Sequence, residues 1–128
     1  RSHFYSKAKT EILAENVTLL ADKDALDLYF AFSTLIQRKK AEFQDHHNTI
    51  NSDEFSVEDK LKEILTVFET TSSCGFSSLF HSSNSLDEIV TTFLAMLELI
   101  KNQLLFFHQT AAFDEIMLTR TEMEVSHE

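Results

Sequence analysis

At 128 residues the chain is long enough for one hydrophobic core, or for a compact domain with a helical extension. An apolar content of 43% argues against wholesale disorder; the lone glycine, Gly75, and the lack of proline exclude a glycine-rich phosphate loop and favour helix. The formal net charge of −10 is uneven: residues 1–50 hold seven acids and seven bases, residues 51–128 fourteen acids against Lys60, Lys62, Lys101 and Arg120, a surface that repels phosphate backbones.

No run of eighteen apolar residues is long enough to span a bilayer, and the N-terminus does not read as a signal peptide. Arg1-Ser2-His3 reads as an expression scar and the missing initiator Met as the mark of an excised fragment. One cysteine, Cys74, cannot form an internal disulfide, which fits a cytoplasmic setting. The acidic excess either solubilises the second half or matches a basic partner.

In chain order, a weak helical pattern covers Lys7–Leu20. From Ala25 to about Phe43 the apolar residues Ala25, Leu28, Tyr29, Phe32, Leu35 and Ile36 recur at helical spacing, so Tyr29, Phe32, Leu35 and Ile36 are expected to face inward. Arg38-Lys39-Lys40 falls where cations favour a helix end. Gln44–Ser52 is polar and reads as a loop. Ser56 caps a second helix striped by Val57, Leu61, Ile64, Leu65 and Phe68. Thr70–Gly75 reads as a break, and Phe76, Leu79 and Phe80 as a brief strand and helical turn.

Ser85-Leu86-Asp87-Glu88 is a capping box that opens the strongest helix, about Ser85–Asn102. Leu86, Ile89, Val90, Phe93, Leu94, Leu97 and Ile100 form its stripe, and Met96 and Leu99 widen it. Gln103–Gln109 reads as a strand, Thr110–Phe113 as a turn and Asp114–Thr119 as the returning strand of a hairpin. The expected organisation is a mainly α chain: a helical extension over residues 1–50, a winged helix (helix-turn-helix with a β-hairpin wing) over 53–120, and an acidic tail over 121–128.

A winged helix invites a nucleic-acid-binding regulator as one reading, but base edges and phosphates call for Arg, Lys, Asn or Gln. The long helix offers Asp87, Glu88 and Glu98, with Lys101 and Asn102 only at its end, and the turn Thr110-Ala111-Ala112-Phe113 has no cation. The helix presents carbon instead, which suits its own core or a partner protein. A hydrolase built on Cys74 and His81 would need a third group to orient the base, and none is evident. His46-His47, near Glu42 and Asp45, points in two directions and lacks a second ligand pair, so no metal or other cofactor is expected.

The run Ile89–Leu104, IVTTFLAMLELIKNQL, resembles the C-terminal signature of the bacterial kleisins called segregation and condensation protein A, a "VTFLAxLELxKNQ" helix that runs into an apolar strand. Phe113–Thr119 resembles their final "FxDIxxT" strand, Leu79-Phe80 their "ELF" step, and Leu28–Lys40 the helix ending in "RKK". The detailed match covers about residues 76–119; Ala111 and Ala112 depart from the family's small polar or glycine residues near the wing. The resemblance implies a non-catalytic subunit whose winged helix binds the ATPase head of an SMC protein. It also implies a central segment that binds a ScpB dimer, and contact with DNA only through the complex, at the nucleoid. On that implication the head contact is expected at Phe93, Met96, Leu97 and Leu99, with Phe106 from the hairpin. Met96 and Leu99 are the members expected to be exposed.

With fourteen acids against four bases over residues 51–128, duplex DNA is expected to bind this chain weakly or not at all at physiological salt. A fluorescence titration across salt concentrations checks this; sub-micromolar, steeply salt-dependent binding would contradict it.

Overall fold

The computed structural model describes residues 23–44, 55–111 and 114–121. The pattern at Lys7–Leu20, the pair His46-His47, Ala112 and Phe113 of the turn, and the tail beyond Thr121 lie outside those residues.

Helix α1 spans Lys23–Gln44. Leu28 and Leu35 are buried, with Phe32 and Ile36 partly buried beside them, as the spacing predicts. Tyr29 is not inward: it is 52% exposed. It sits 100° round the helix from Leu28, so a stripe centred on Leu28, Phe32 and Leu35 leaves it on the flank. The helix runs past Arg38-Lys39-Lys40, so these cations do not occupy its last turn. Lys39 instead reaches across to donate to the Ser83 carbonyl at 3.4 Å.

Helix α2 spans Val57–Thr70, and the Ser56 hydroxyl accepts the Asp59 N–H at 3.1 Å, as its sequence predicts. Lys60, Ile64 and Phe68 are buried, whereas Leu65, expected in the stripe, is exposed. Strand β1, Ser73–Gly75, occupies what reads as a break in the sequence, and a 3₁₀ turn, Phe76–Phe80, follows. Three residues are too few for alternation to register; the strand exists because β3 pairs with it.

Helix α3 spans Leu86–Lys101. Ser85 accepts the Glu88 N–H at 3.1 Å. Glu88 reaches back one residue further than a capping box predicts: its Oε1 accepts the Asn84 N–H at 3.0 Å, and its Oε2 accepts Lys60 Nζ of α2 at 2.8 Å. Asp87 accepts the Phe55 N–H at 3.0 Å, so the start of α3 anchors the chain entering α2. The C-terminus closes with Gln103 at φ 64°, Leu104 N–H donating to Leu99 O and Gln103 N–H to Ile100 O, a Schellman motif without its usual glycine.

Strands β2, Leu105–His108, and β3, Met117–Arg120, form the expected antiparallel hairpin, each shorter than its apolar run. The helix-terminal turn takes residues 102–104, and the pairing of Arg120 with Leu105 of β2 carries β3 one residue past Thr119. The sheet order is β1-β3-β2. Leu118 in the central strand, opposite Cys74 and Phe107, is fully buried. Glu115 ties the hairpin to the 3₁₀ turn by accepting the Ser77 N–H and hydroxyl at 2.8 and 2.5 Å. Its carboxylate lies against Gly75, where an added Cβ would meet Oε2 at 2.9 Å. Helix, strand, short turn, long helix and hairpin with a three-stranded antiparallel sheet are compatible with a winged helix.

Gln103 holds a left-handed backbone that glycine adopts at no steric cost, and its side chain is exposed. Gln103→Gly is therefore expected to stabilise the chain by roughly 0.5–1 kcal/mol, the relief of the left-handed strain partly offset by the freer unfolded glycine. The urea midpoint measures it; an unchanged or lower midpoint would contradict the assignment.

Candidate protein interface

Four of the five residues expected at a partner surface come from α3. Phe93, Met96, Leu97 and Leu99 are all buried, Met96 at 0% and Leu99 at 2% exposure. The expectation that Met96 and Leu99 flank the core in solvent is therefore overturned. The physical reason is that α3 is packed on several sides, by α2, by α1 and by β2. α1 covers Phe93. Its Phe32 ring stacks on Phe93 with centroids 3.8 Å apart and planes within 8°, and Phe76 meets Phe93 edge-on. Leu28 and Leu35 of α1 belong to the same core cluster as Ile64, Phe68 and Leu118. With α1 on one side and α2 and the sheet on others, α3 has no solvated face in its middle turns: Thr91 through Leu97 are all buried. The buried hydroxyls of Thr91 and Thr92 donate to the Asp87 and Glu88 carbonyls one turn back, so they add no unmet polar group.

Phe106 differs. It is 49% exposed on β2, between inward-facing Leu105 and Phe107, and Leu104 beside it is 39% exposed. Its neighbour across the sheet is Thr119, and His108 shares its face. This hairpin face is one exposed apolar surface. A second lies on α1, where Leu26, Tyr29 and Phe30 are all more than half exposed. Leu26, Tyr29 and Phe30 follow i, i+3, i+4 spacing, and that signal was available in the sequence; merging Tyr29 with the inner stripe hid it.

Among the described residues, the side chains with catalytic potential are not assembled. Cys74 is half-buried in the sheet, and burial pushes its thiol up from the usual cysteine range despite a hydrogen bond with Ser78. A thiol held protonated in this way is a poor nucleophile. Among the described residues no three His, Cys, Asp or Glu side chains converge on a metal position, and no helix is long and apolar enough to cross a membrane.

What these surfaces offer a ligand is exposed carbon on an acidic scaffold, the make-up of an interaction module. Comparison with known proteins gives that class a family. Residues 4–121 match the family described as Segregation and condensation protein ScpA. The chain is 50% identical over 122 residues to Segregation and condensation protein A of Lactococcus lactis subsp. lactis (strain IL1403), covering 95% of this chain and 50% of that protein. It is 38% identical over 124 residues to the protein of the same name from Streptococcus pneumoniae serotype 19F (strain G54), covering 97% and 51%. The chain belongs to the ScpA family of segregation and condensation proteins, and it spans about half the length of these relatives. Their names describe segregation and condensation and no catalysed reaction.

Burial separates the five expected residues into two groups with different mutational outcomes. Phe93→Arg removes a stacked ring, a loss of about 3–5 kcal/mol for truncation alone, and strands a charge in the core. Met96→Arg does the same at a fully buried site. Both are expected to abolish the cooperative thermal transition, whereas Phe106→Arg is expected to melt within about 0.5 kcal/mol of wild type. Circular dichroism melts distinguish them; a well-folded Met96→Arg would show that α3 is not enclosed.

Proposed function

We propose that this chain is the SMC-binding part of a kleisin. In this reading residues 53–120 act as a winged helix that docks on the ATPase head of an SMC protein. Residues 1–50 engage a dimer of ScpB. The assembly condenses and segregates chromosomal DNA in the cytoplasm, at the nucleoid. ATP hydrolysis belongs to the SMC heads, so the chain supplies attachment and contributes no catalytic group or cofactor.

The observation that carries this reading is the exposed aromatic of the hairpin, set within a member of the ScpA family. Phe106 and Leu104 present carbon where a nucleic-acid-binding wing would present cations. The head contact is therefore assigned to the hairpin face, with Phe106 as its anchor. Phe93, Met96, Leu97 and Leu99 act from inside, holding the frame on which that face is displayed. The acidic second half favours a basic surface on the head.

The test is affinity for a purified SMC head by calorimetry. Wild type is expected to bind, and Phe106→Arg to bind at least about tenfold more weakly, since a central apolar anchor is worth roughly 2 kcal/mol or more. Leu65→Arg, on the exposed side of α2, is expected to bind as wild type does. Absence of any complex with wild type would overturn the reading; wild-type affinity in Phe106→Arg would move the contact off the hairpin.

A further inference from the structure

Among the described residues, Gln103 is the one residue with a side chain that takes a left-handed backbone, φ 64°. A Cβ is crowded there, and glycine would hold the same turn at no steric cost. Three hydrogen bonds fix it. Gln103 N–H donates to Ile100 O at 2.9 Å, Leu104 N–H to Leu99 O at 2.8 Å, and the Thr121 hydroxyl to Gln103 O at 2.8 Å. At residues 103 and 104 all three use backbone atoms, so glycine at 103 would keep them all. The Gln103 side chain adds nothing to the turn: it is exposed and makes no hydrogen bond among the described residues. Its neighbours differ, since the Asn102 amide donates to Glu98 at 3.4 Å and Lys101 lies 4.0 Å from the same carboxylate. A strained residue whose side chain has no internal use points to an external one.

The turn at Gln103 joins α3 to the hairpin face. Thr121 N–H donates to Leu104 O at 3.0 Å, which carries the β2–β3 pairing one step beyond Leu105 and Arg120. Leu104 and Phe106 therefore follow each other at the two-residue repeat of a strand, 39% and 49% exposed, with Gln103 at the end of the row. Across the sheet Thr119 lies opposite Phe106, and the Thr121 hydroxyl is already engaged with Gln103 O. The Gln103 carboxamide thus stands at the border of an apolar patch, on a backbone that is fixed before any partner arrives.

We propose, on the reading that the hairpin face docks on the SMC head, that Gln103 determines the specificity of that contact: its carboxamide pairs with the backbone N–H and C=O of an extended residue of the head, at the border of the Phe106 anchor. Phe106 and Leu104 bury carbon, which attracts without direction and leaves the register of docking open. A carboxamide carries donors and an acceptor in one plane, and the N–H and C=O of an extended residue point the same way, so the two match at two points. A charged group on the head fits less well, because the amide is neutral and Glu98 and Lys101 beside it already face each other. The fixed backbone reduces the freedom lost on docking. Glycine at this position then gives the more stable fold and the weaker complex.

Calorimetry with a purified SMC head, alongside urea melts of the 128-residue chain, tests the proposal. Gln103→Gly is expected to raise the urea midpoint and yet to weaken head affinity by about fivefold to tenfold, the loss of hydrogen bonds to a backbone group that docking desolvates. Gln103→Met, of similar length but without donor or acceptor, is expected to weaken it as much. Gln103→Asn keeps the amide and tolerates the left-handed backbone, so part of the affinity is expected to remain. Wild-type affinity in both Gln103→Gly and Gln103→Met overturns the proposal while leaving the Phe106 contact, read from Phe106→Arg, intact. Wild-type affinity in Gln103→Met alone overturns it too, by making the effect one of packing. A wild-type chain that forms no complex overturns the head-binding reading itself, and the role of Gln103 with it.

Discussion

The enclosure of α3 is the constraint on which the rest of the structure depends. Nine of its sixteen residues are buried, seven of them in an unbroken run from Thr91 to Leu97. A helix whose middle turns are apolar on several sides is unstable in water until those sides are covered. The covering elements come from widely separated stretches of chain: α1 before it, α2 before it, and a sheet made of strands on both sides of it. The stack of Phe32 on Phe93 and the burial of Leu28 and Leu35 are therefore what make α1 part of the same core. Without α1, the Phe93 ring would lose its stacked partner and keep only its remaining contacts, Phe76 edge-on among them.

Polar groups around this helix are arranged so that none opposes the enclosure. Lys60 is buried, yet its ammonium meets Glu88 at 2.8 Å and Glu63 at 3.1 Å and lies over the Phe55 ring. Burial by itself lowers its pKa; the hydrogen bonds and charges of Glu88 and Glu63 outweigh it, so the net direction is upward. A raised lysine favours the folded state at all pH below the ordinary lysine range, and that contribution disappears as pH climbs through the raised value. The pair is thus intact at neutral pH. Its main effect is geometric: the same acids that cap α3 hold α2 and Phe55 in register, so α2 and α3 cannot slide past one another.

Much of this was legible from the sequence because it is written in local chemistry. Ser56 and Ser85 are helix caps whose hydroxyls accept the N–H three residues on, and the α3 stripe and the hairpin follow from periodicity. What was not legible is what depends on a distant neighbour. β1 exists only because β3 pairs with it. Met96 and Leu99 look like the exposed rim of an over-wide stripe; α1, assigned by sequence to an extension outside the winged-helix unit, is among the elements that cover this helix. Tyr29 was misplaced for the converse reason. A row of six apolar residues on α1 cannot all face one way, and only the packed structure reveals which flank is left over.

Among the described residues, α1 and the hairpin each keep an apolar surface once the core is closed, and the core lies between them. Phe32 belongs to the helix that displays Leu26 and Phe30. Its ring lies on Phe93, and Phe93 meets Phe76, whose N–H donates to Ile116 on the approach to β3. β3 in turn carries Phe106 of β2 opposite Thr119. A partner on α1 and a partner on the hairpin would therefore be coupled through these packed rings and paired strands. If the chain attaches other proteins to one another, as proposed, that packing couples its two surfaces, and the enclosed middle turns of α3 are the part through which the coupling runs.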